Sequence, residues 1–205
     1  MTKNTHLAAG VALSIAMIMP NELQSLAVCI CGAAVGSTIP DVDVASSKPR
    51  KELSTIVGFS VAMVTALVVL ENVLNIGLFQ MIESHTALYR IILGYVTFIL
   101  LCVFGTTTKH RTYTHSIVGL ISFTGAMWVL FPDMTFPFFI GMLSHIWLDL
   151  LNTKKVRVLY PIKKFGIAFK LCHAEGKANK TICIISTLVI VVELIIFALN
   201  LMNVI

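Results

Sequence analysis

Long apolar runs alternate with short polar interruptions along all 205 residues. Seven runs stand out, at about 7–19, 23–39, 54–73, 87–105, 113–131, 137–152 and 182–203. Their length and continuity predict helices rather than strands. The third, fourth, fifth and seventh have roughly the ~20 residues needed to cross a ~30 Å hydrocarbon core. The first and sixth are shorter, and a helix of about 13 residues rises only ~20 Å, so these two are expected to span in part or to be buried among the others. Pro20-Asn21-Glu22 and Pro132-Asp133 punctuate their neighbours as turns. The pattern predicts an all-α fold, a polytopic membrane helical bundle of about seven hydrophobic segments.

Composition agrees. Hydrophobic residues make up 57% of the chain and charged residues 12%, against about 25% charged in a soluble domain. Mean hydropathy is +0.91. The whole chain, 1–205, reads as a single integral membrane domain with a basic loop at about 153–181. The first run does not read as a cleavable signal peptide, because one Lys precedes it and a second apolar run follows almost at once.

Charge then gives an orientation. With seven crossings, 14 of the 15 Lys and Arg residues fall on the side of the N-terminus and only Arg90 on the other. That bias predicts a cytoplasmic N-terminus. A pI near 9 is therefore a matter of topology, and no nucleic-acid partner is expected; Tyr160, Phe165 and Phe169 are too few and irregular for base stacking. Membrane lipids are the expected partners. No sequence feature sets an oligomeric state.

The polar residues that remain are concentrated. His6, Pro40-Asp41-Val42-Asp43, His110-Arg111, Thr114-His115-Ser116 and Ser144-His145 through Asp149 hold three of the four aspartates and four of the six histidines. The topology puts all of them at one depth, near the cytoplasmic interface, and is expected to gather them round one pocket with His6 and His110 at its edge. His145 and Asp149, four apart on a helix, share a face. An extended Pro-Asp-Val-Asp would point Asp41 and Asp43 the same way. His110 and His115 are five apart, so a loop-to-helix transition at 111–114 is needed to bring them together. Carboxylates with imidazoles suit a divalent transition metal, zinc first and manganese or iron as alternatives. The candidate ligands are His6, Asp41, Asp43, His110, His115, His145 and Asp149, enough for one or two ions. Singly, each has a plainer reading: a histidine as an interfacial anchor, Asp-x-Asp as a turn, Arg111 as a topology charge. His85 is placed on the opposite side, and His173 in the basic loop is a marginal candidate.

In that order, these motifs resemble the YdjM-like family of bacterial and archaeal inner-membrane proteins, regarded as metal-dependent hydrolases. The resemblance covers about residues 5–165 and includes Asn152-Thr153 and Val158-Leu159-Tyr160-Pro161, where the family more often has Trp before the Pro. It implies a hydrolase of a prokaryotic inner (cytoplasmic) membrane that works through a metal-activated water, and it leaves the substrate open. The residues suggest a phosphoester or lipid head group at the cytoplasmic interface. Asp43 or Asp149 is the expected proton acceptor, and Arg111 the expected holder of an anionic substrate group. The alternative is a non-catalytic metal-binding or metal-ion-transporting membrane protein, although a transporter would place ligands near the midplane, where only Glu193 sits. The five scattered cysteines imply no disulfide.

Overall fold

The computed structural model describes residues 1–74, 86–162, 165–173 and 176–202. Within them lie seven α-helices: α1 (Lys3–Ile18), α2 (Leu23–Thr38), α3 (Lys48–Leu74), α4 (Thr86–Thr107), α5 (Ile117–Leu130), α6 (Thr135–Leu150) and α7 (Lys177–Leu201). Short 3₁₀ turns occupy Ile39–Asp43, Tyr113–His115 and Pro132–Met134. The fold is a helical membrane bundle. Among the described residues, three segments are long and apolar enough to cross a bilayer: Leu23–Asp43, Ala87–Thr107 and Lys177–Leu201.

Large apolar side chains face outward as well as inward. Leu100 on α4 and Leu188 on α7 are well exposed. A soluble protein rarely tolerates so large an apolar surface; hydrocarbon would cover it.

Several helix starts differ from the sequence reading: α1 begins at Lys3 rather than 7 and α7 at Lys177 rather than 182, and two others are set by serine caps. α3 begins at Lys48 rather than near 54, since the Ser47 hydroxyl accepts from the Arg50 amide at 3.2 Å and Pro49 suits a first turn. α5 begins at Ile117 rather than 113, since Ser116 accepts from the Gly119 amide at 3.0 Å. The fifth run therefore makes a 14-residue helix, shorter than a full span, and frees residues 113–116 to build the site.

The densest packing is α2 against α6. Small residues make it so. A Cβ on Gly36 would collide with the Phe138 carbonyl, and one on Gly141 with the Ala33 carbonyl. Such close backbone approach is how membrane helices associate without a hydrophobic driving force between them. α1 packs on α2, α6 and α7. Phe123, Phe138, Met142, Val42, Tyr113 and Cys102 fill the core beside this seam.

The loop after α6 folds back beneath the site end of the bundle. Val156 and Ile167 pair as an antiparallel bridge. The Phe169 amide donates to Leu150 O at 2.8 Å and the Leu171 amide to Leu151 O at 2.9 Å. Arg90 and Asp133 lie towards the opposite end, on the first turn of α4 and in the turn between α5 and α6. The expectation for His85 falls outside the described residues.

Candidate metal centre

His145 and Asp149 sit on the last two turns of α6, one above the other, as their spacing requires. Asp149 is the hub. Its Oδ1 meets the Met1 amine at 2.9 Å and His6 Nε2 at 3.4 Å; its Oδ2 meets Arg111 Nη2 at 2.9 Å and His115 Nε2 at 3.5 Å. One carboxylate thus ties together α1, α6 and the turn before α5.

His6 lies at the centre of the site, not at its edge as the sequence suggested. It is 2% exposed, and its ring stacks on His145 with centroids 3.7 Å apart. The start of α1 is held from above by α7: the Thr2 amide donates to Asn179 Oδ1, and Asn179 Nδ2 donates to Thr2 Oγ1, each at 3.2 Å.

Asp41 and Asp43 do not point the same way. The Pro-Asp-Val-Asp stretch is a 3₁₀ turn, not an extended segment; Pro40 fits its first turn, and at ~3 residues per turn side chains two apart diverge by roughly 240°. Asp41 faces His145, with Oδ1 3.7 Å from Nε2. Asp43 faces the other wall. It accepts from Thr114 Oγ1 at 2.7 Å and from the Arg111 amide at 3.1 Å, and contacts His110 Nδ1 at 2.8 Å.

Arg111 is the residue that turns the chain. Its φ of 63° is left-handed, a conformation that costs a non-glycine residue about 1–3 kcal/mol. The turn aims its N–H at Asp43 and its carbonyl at the Arg157 amide, 2.9 Å away. His110 and His115 thereby face each other, with ring centroids 5.2 Å apart. The guanidinium is occupied by Asp149 and by the Lys154 carbonyl at 2.9 Å. It is buried, and only its Nε lacks a partner.

The hydrogen bonds fix ring tautomers. His145 Nδ1 lies 2.7 Å from the Ser37 carbonyl and must donate to it, which leaves Nε2 as a lone pair. Thr114 gives its hydroxyl proton to Asp43, so at 2.9 Å it accepts from His115 Nδ1, and His115 Nε2 also faces inward as a lone pair in the neutral ring. His6 Nδ1, His115 Nε2 and His145 Nε2 are buried without a hydrogen-bond partner. Unpaired buried polar atoms are costly, and three imidazoles in one cluster with carboxylates are the donor set a divalent transition metal takes. The residues fit a metal.

Two groups could hold one. His6, His145 and Asp149 offer ligand atoms that lie within 4.8 Å of one another, as do Asp41, His110 and His115. Asp43 belongs to neither group among the described residues. His173 is exposed and also stands outside both. The cluster is otherwise tightly packed; His110, 39% exposed, and Asp41, 26% exposed, form its open edge.

Burial would strip His115 of its proton, but the Asp149 and Asp43 carboxylates, each 3.5 Å from the ring, outweigh burial and raise its pKa to about 9 when no cation competes. Sequence reasoning missed Thr114 as a member of the site, the Ser37 carbonyl, the Met1 amine and Asn179. Thr114 stands beside His115 in the sequence and was the one with a local signal; the others are contacts between residues more than 100 positions apart.

A family model described as YdjM inner membrane protein matches residues 1–204. No curated protein and no solved structure matches the chain.

Proposed function

This chain belongs to the YdjM inner membrane protein family, and from that membership together with its buried imidazole–carboxylate cluster we propose that it is a membrane-embedded, metal-dependent hydrolase. Its substrate in this reading is a phosphoester, presented by a lipid head group at the cytoplasmic interface. The observation that carries the proposal is the set of three buried imidazole nitrogens without a hydrogen-bond partner, on His6, His115 and His145.

His6, His145 and Asp149 would hold one ion, and Asp41, His110 and His115 a second; zinc suits the donors best, with manganese or iron as alternatives. A bound ion supplies Lewis acidity and lowers the pKa of water from ~15.7 towards ~7.

The protein's own groups divide the remaining work. Asp43 orients His110 directly and His115 through Thr114, so its role is to position ligands; its oxygens are taken, and it is not a spare base. Asp149, with four cationic or imidazole partners, is not spare either. Asp41 is the carboxylate at the open edge, and proton acceptance is assigned to it. Arg111, held by Asp149 and Lys154 O, balances the charge of Asp149 rather than waiting for substrate. The exposed Lys109 and Lys154, in the adjoining turns, take over as the groups for an anionic substrate.

Metal transport is the weaker reading, since both groups lie at one end of the bundle rather than along a path through it. The test is elemental analysis of the purified protein beside a panel of phospholipids and soluble phosphoesters. Hydrolysis that needs metal and is lost in His145→Ala is the expected result. Metal without hydrolysis of any substrate leaves a non-catalytic metal protein, and activity without metal overturns the proposal.

A further inference from the structure

The loop between α6 and α7 carries a surface that, Lys154 apart, the metal centre does not use. From Leu150 to Ala174 it has six Lys and Arg residues and no acidic residue. Its apolar side chains are not tucked away. Leu159, Ile162, Phe165, Phe169 and Leu171 are all exposed, Leu171 to 71%. In water such a surface is a liability, and a loop of this composition has no need of it.

The position of the loop shows what covers it. Leu143 and Trp147 are exposed at i and i+4 on α6, so they mark the flank of that helix that faces hydrocarbon. The Phe169 ring packs beside Trp147 with centroids 6.2 Å apart. The loop's apolar side therefore continues the lipid-facing surface of the bundle at the depth where α6 ends. The Phe169 and Leu171 amides, bonded to Leu150 O and Leu151 O, hold it there. Lys154, Lys155 and Lys170 are exposed on the same loop. Aromatic and aliphatic groups at the level of the head groups, with basic residues among them, are the chemistry that binds an anionic leaflet.

We propose that residues 154–162 and 165–171 form a plate that docks into the leaflet adjoining the metal centre, with Phe165, Phe169 and Leu171 inserted among acyl chains and Lys154, Lys155 and Lys170 holding anionic phospholipid head groups. The proposal is independent of hydrolysis; it rests on exposure and charge, not on the ligands. It also has a consequence for access. The Lys154 carbonyl holds Arg111 and the Arg157 amide binds the Arg111 carbonyl, so a lipid bound to the plate sits next to the open edge of the centre.

Full-length protein carrying Phe165→Trp, with Trp128 and Trp147 replaced by Phe, is reconstituted in nanodiscs of phosphatidylcholine with phosphatidylglycerol. Nitroxide-labelled lipids should quench the new tryptophan strongly, and aqueous iodide weakly. Labelled phosphatidylglycerol should quench at least twofold more than labelled phosphatidylcholine, and Lys154→Glu/Lys155→Glu/Lys170→Glu should bring that ratio to one. Phe169→Trp in the same background repeats the test should the first variant fail to fold. Strong iodide quenching without lipid quenching makes the loop a solvent-facing cover and overturns the proposal. Equal quenching by the two lipids in the unmodified loop overturns its anionic specificity. Metal content, measured in parallel, is expected to be unchanged, so loss of the plate and loss of the centre are read separately.

Discussion

The imidazole of His6 lies flat on that of His145, the planes 13° from parallel and the centroids 3.7 Å apart. Two stacked imidazolium rings would repel each other, and burial opposes the charge on each. The pair is built to stay neutral, which is the form that binds a metal. His6→Ala is therefore expected to do more than open a cavity. Metal content of the purified protein should fall at least tenfold while the helical circular dichroism spectrum persists. A fully loaded His6→Ala protein would remove α1 from the centre.

Asp43 and Asp149 are both buried aspartates of the site, yet they should behave differently. Asp43→Asn disturbs the orientation of His110 and His115 without removing a ligand, so metal affinity should fall about 10–100-fold. Asp149→Asn removes a ligand and should lower occupancy below detection. Metal titration with a competing chelator compares the two directly, and identical losses would make Asp43 a ligand after all.

Arg111→Ala takes one cation from the buried Asp149 carboxylate and leaves it the Met1 amine and two imidazoles. Breaking a buried pair in this way costs about 3–5 kcal/mol, so the thermal midpoint of the metal-stripped protein should drop by several degrees. Added metal should restore much of it, because the ion replaces the lost positive charge beside Asp149. A variant as stable as the parent, but catalytically dead, would return Arg111 to substrate binding.

The raised pKa of His115 sets a pH dependence. The folded value, about 9, lies above the ordinary histidine value of 6.5. With no metal bound, the proton on His115 contributes stability that is fully present below pH ~6.5 and is lost as pH rises through about 9. Metal binding must expel that proton. Affinity should therefore rise with pH up to about 9, by as much as tenfold per unit, and then level off. His115→Ala should flatten this window. Competition titrations between pH 6 and 10 give the slope.

At the α2–α6 seam, Gly36→Ala puts a methyl group against the Phe138 carbonyl. Overpacking of this kind costs about 1–3 kcal/mol. The helices must separate, which carries the Ser37 carbonyl away from His145 Nδ1, 2.7 Å from it in the intact protein. Metal affinity should weaken although no ligand has changed. Normal metal binding in a destabilised Gly36→Ala protein would show that the seam and the centre are uncoupled.

Helical periodicity made the bundle legible, together with the His145–Asp149 face, because both depend only on local geometry. The two aspartates lie beside the histidines, as expected, but point in different directions. A proline followed by Asp-x-Asp is compatible with an extended segment or a 3₁₀ turn, and packing beneath α4 and α6 decides between them. The left-handed Arg111 has no signature in the sequence, since arginine adopts that conformation only when its surroundings enforce it. His6 looked peripheral because it lies near a chain end; its centrality comes from the packing of α1 against α6 and α7.

Asn179 grips Thr2 across 177 positions of sequence. Synthesis proceeds from the first helix to the last, so a growing chain carries His6 long before it carries the residue that pins the start of α1. Until α7 is made, α1 has its packing on α2 and α6 but not the Asn179 clamp on Thr2. A chain that ends before Asn179 therefore lacks the contact that fixes Thr2, four residues from His6.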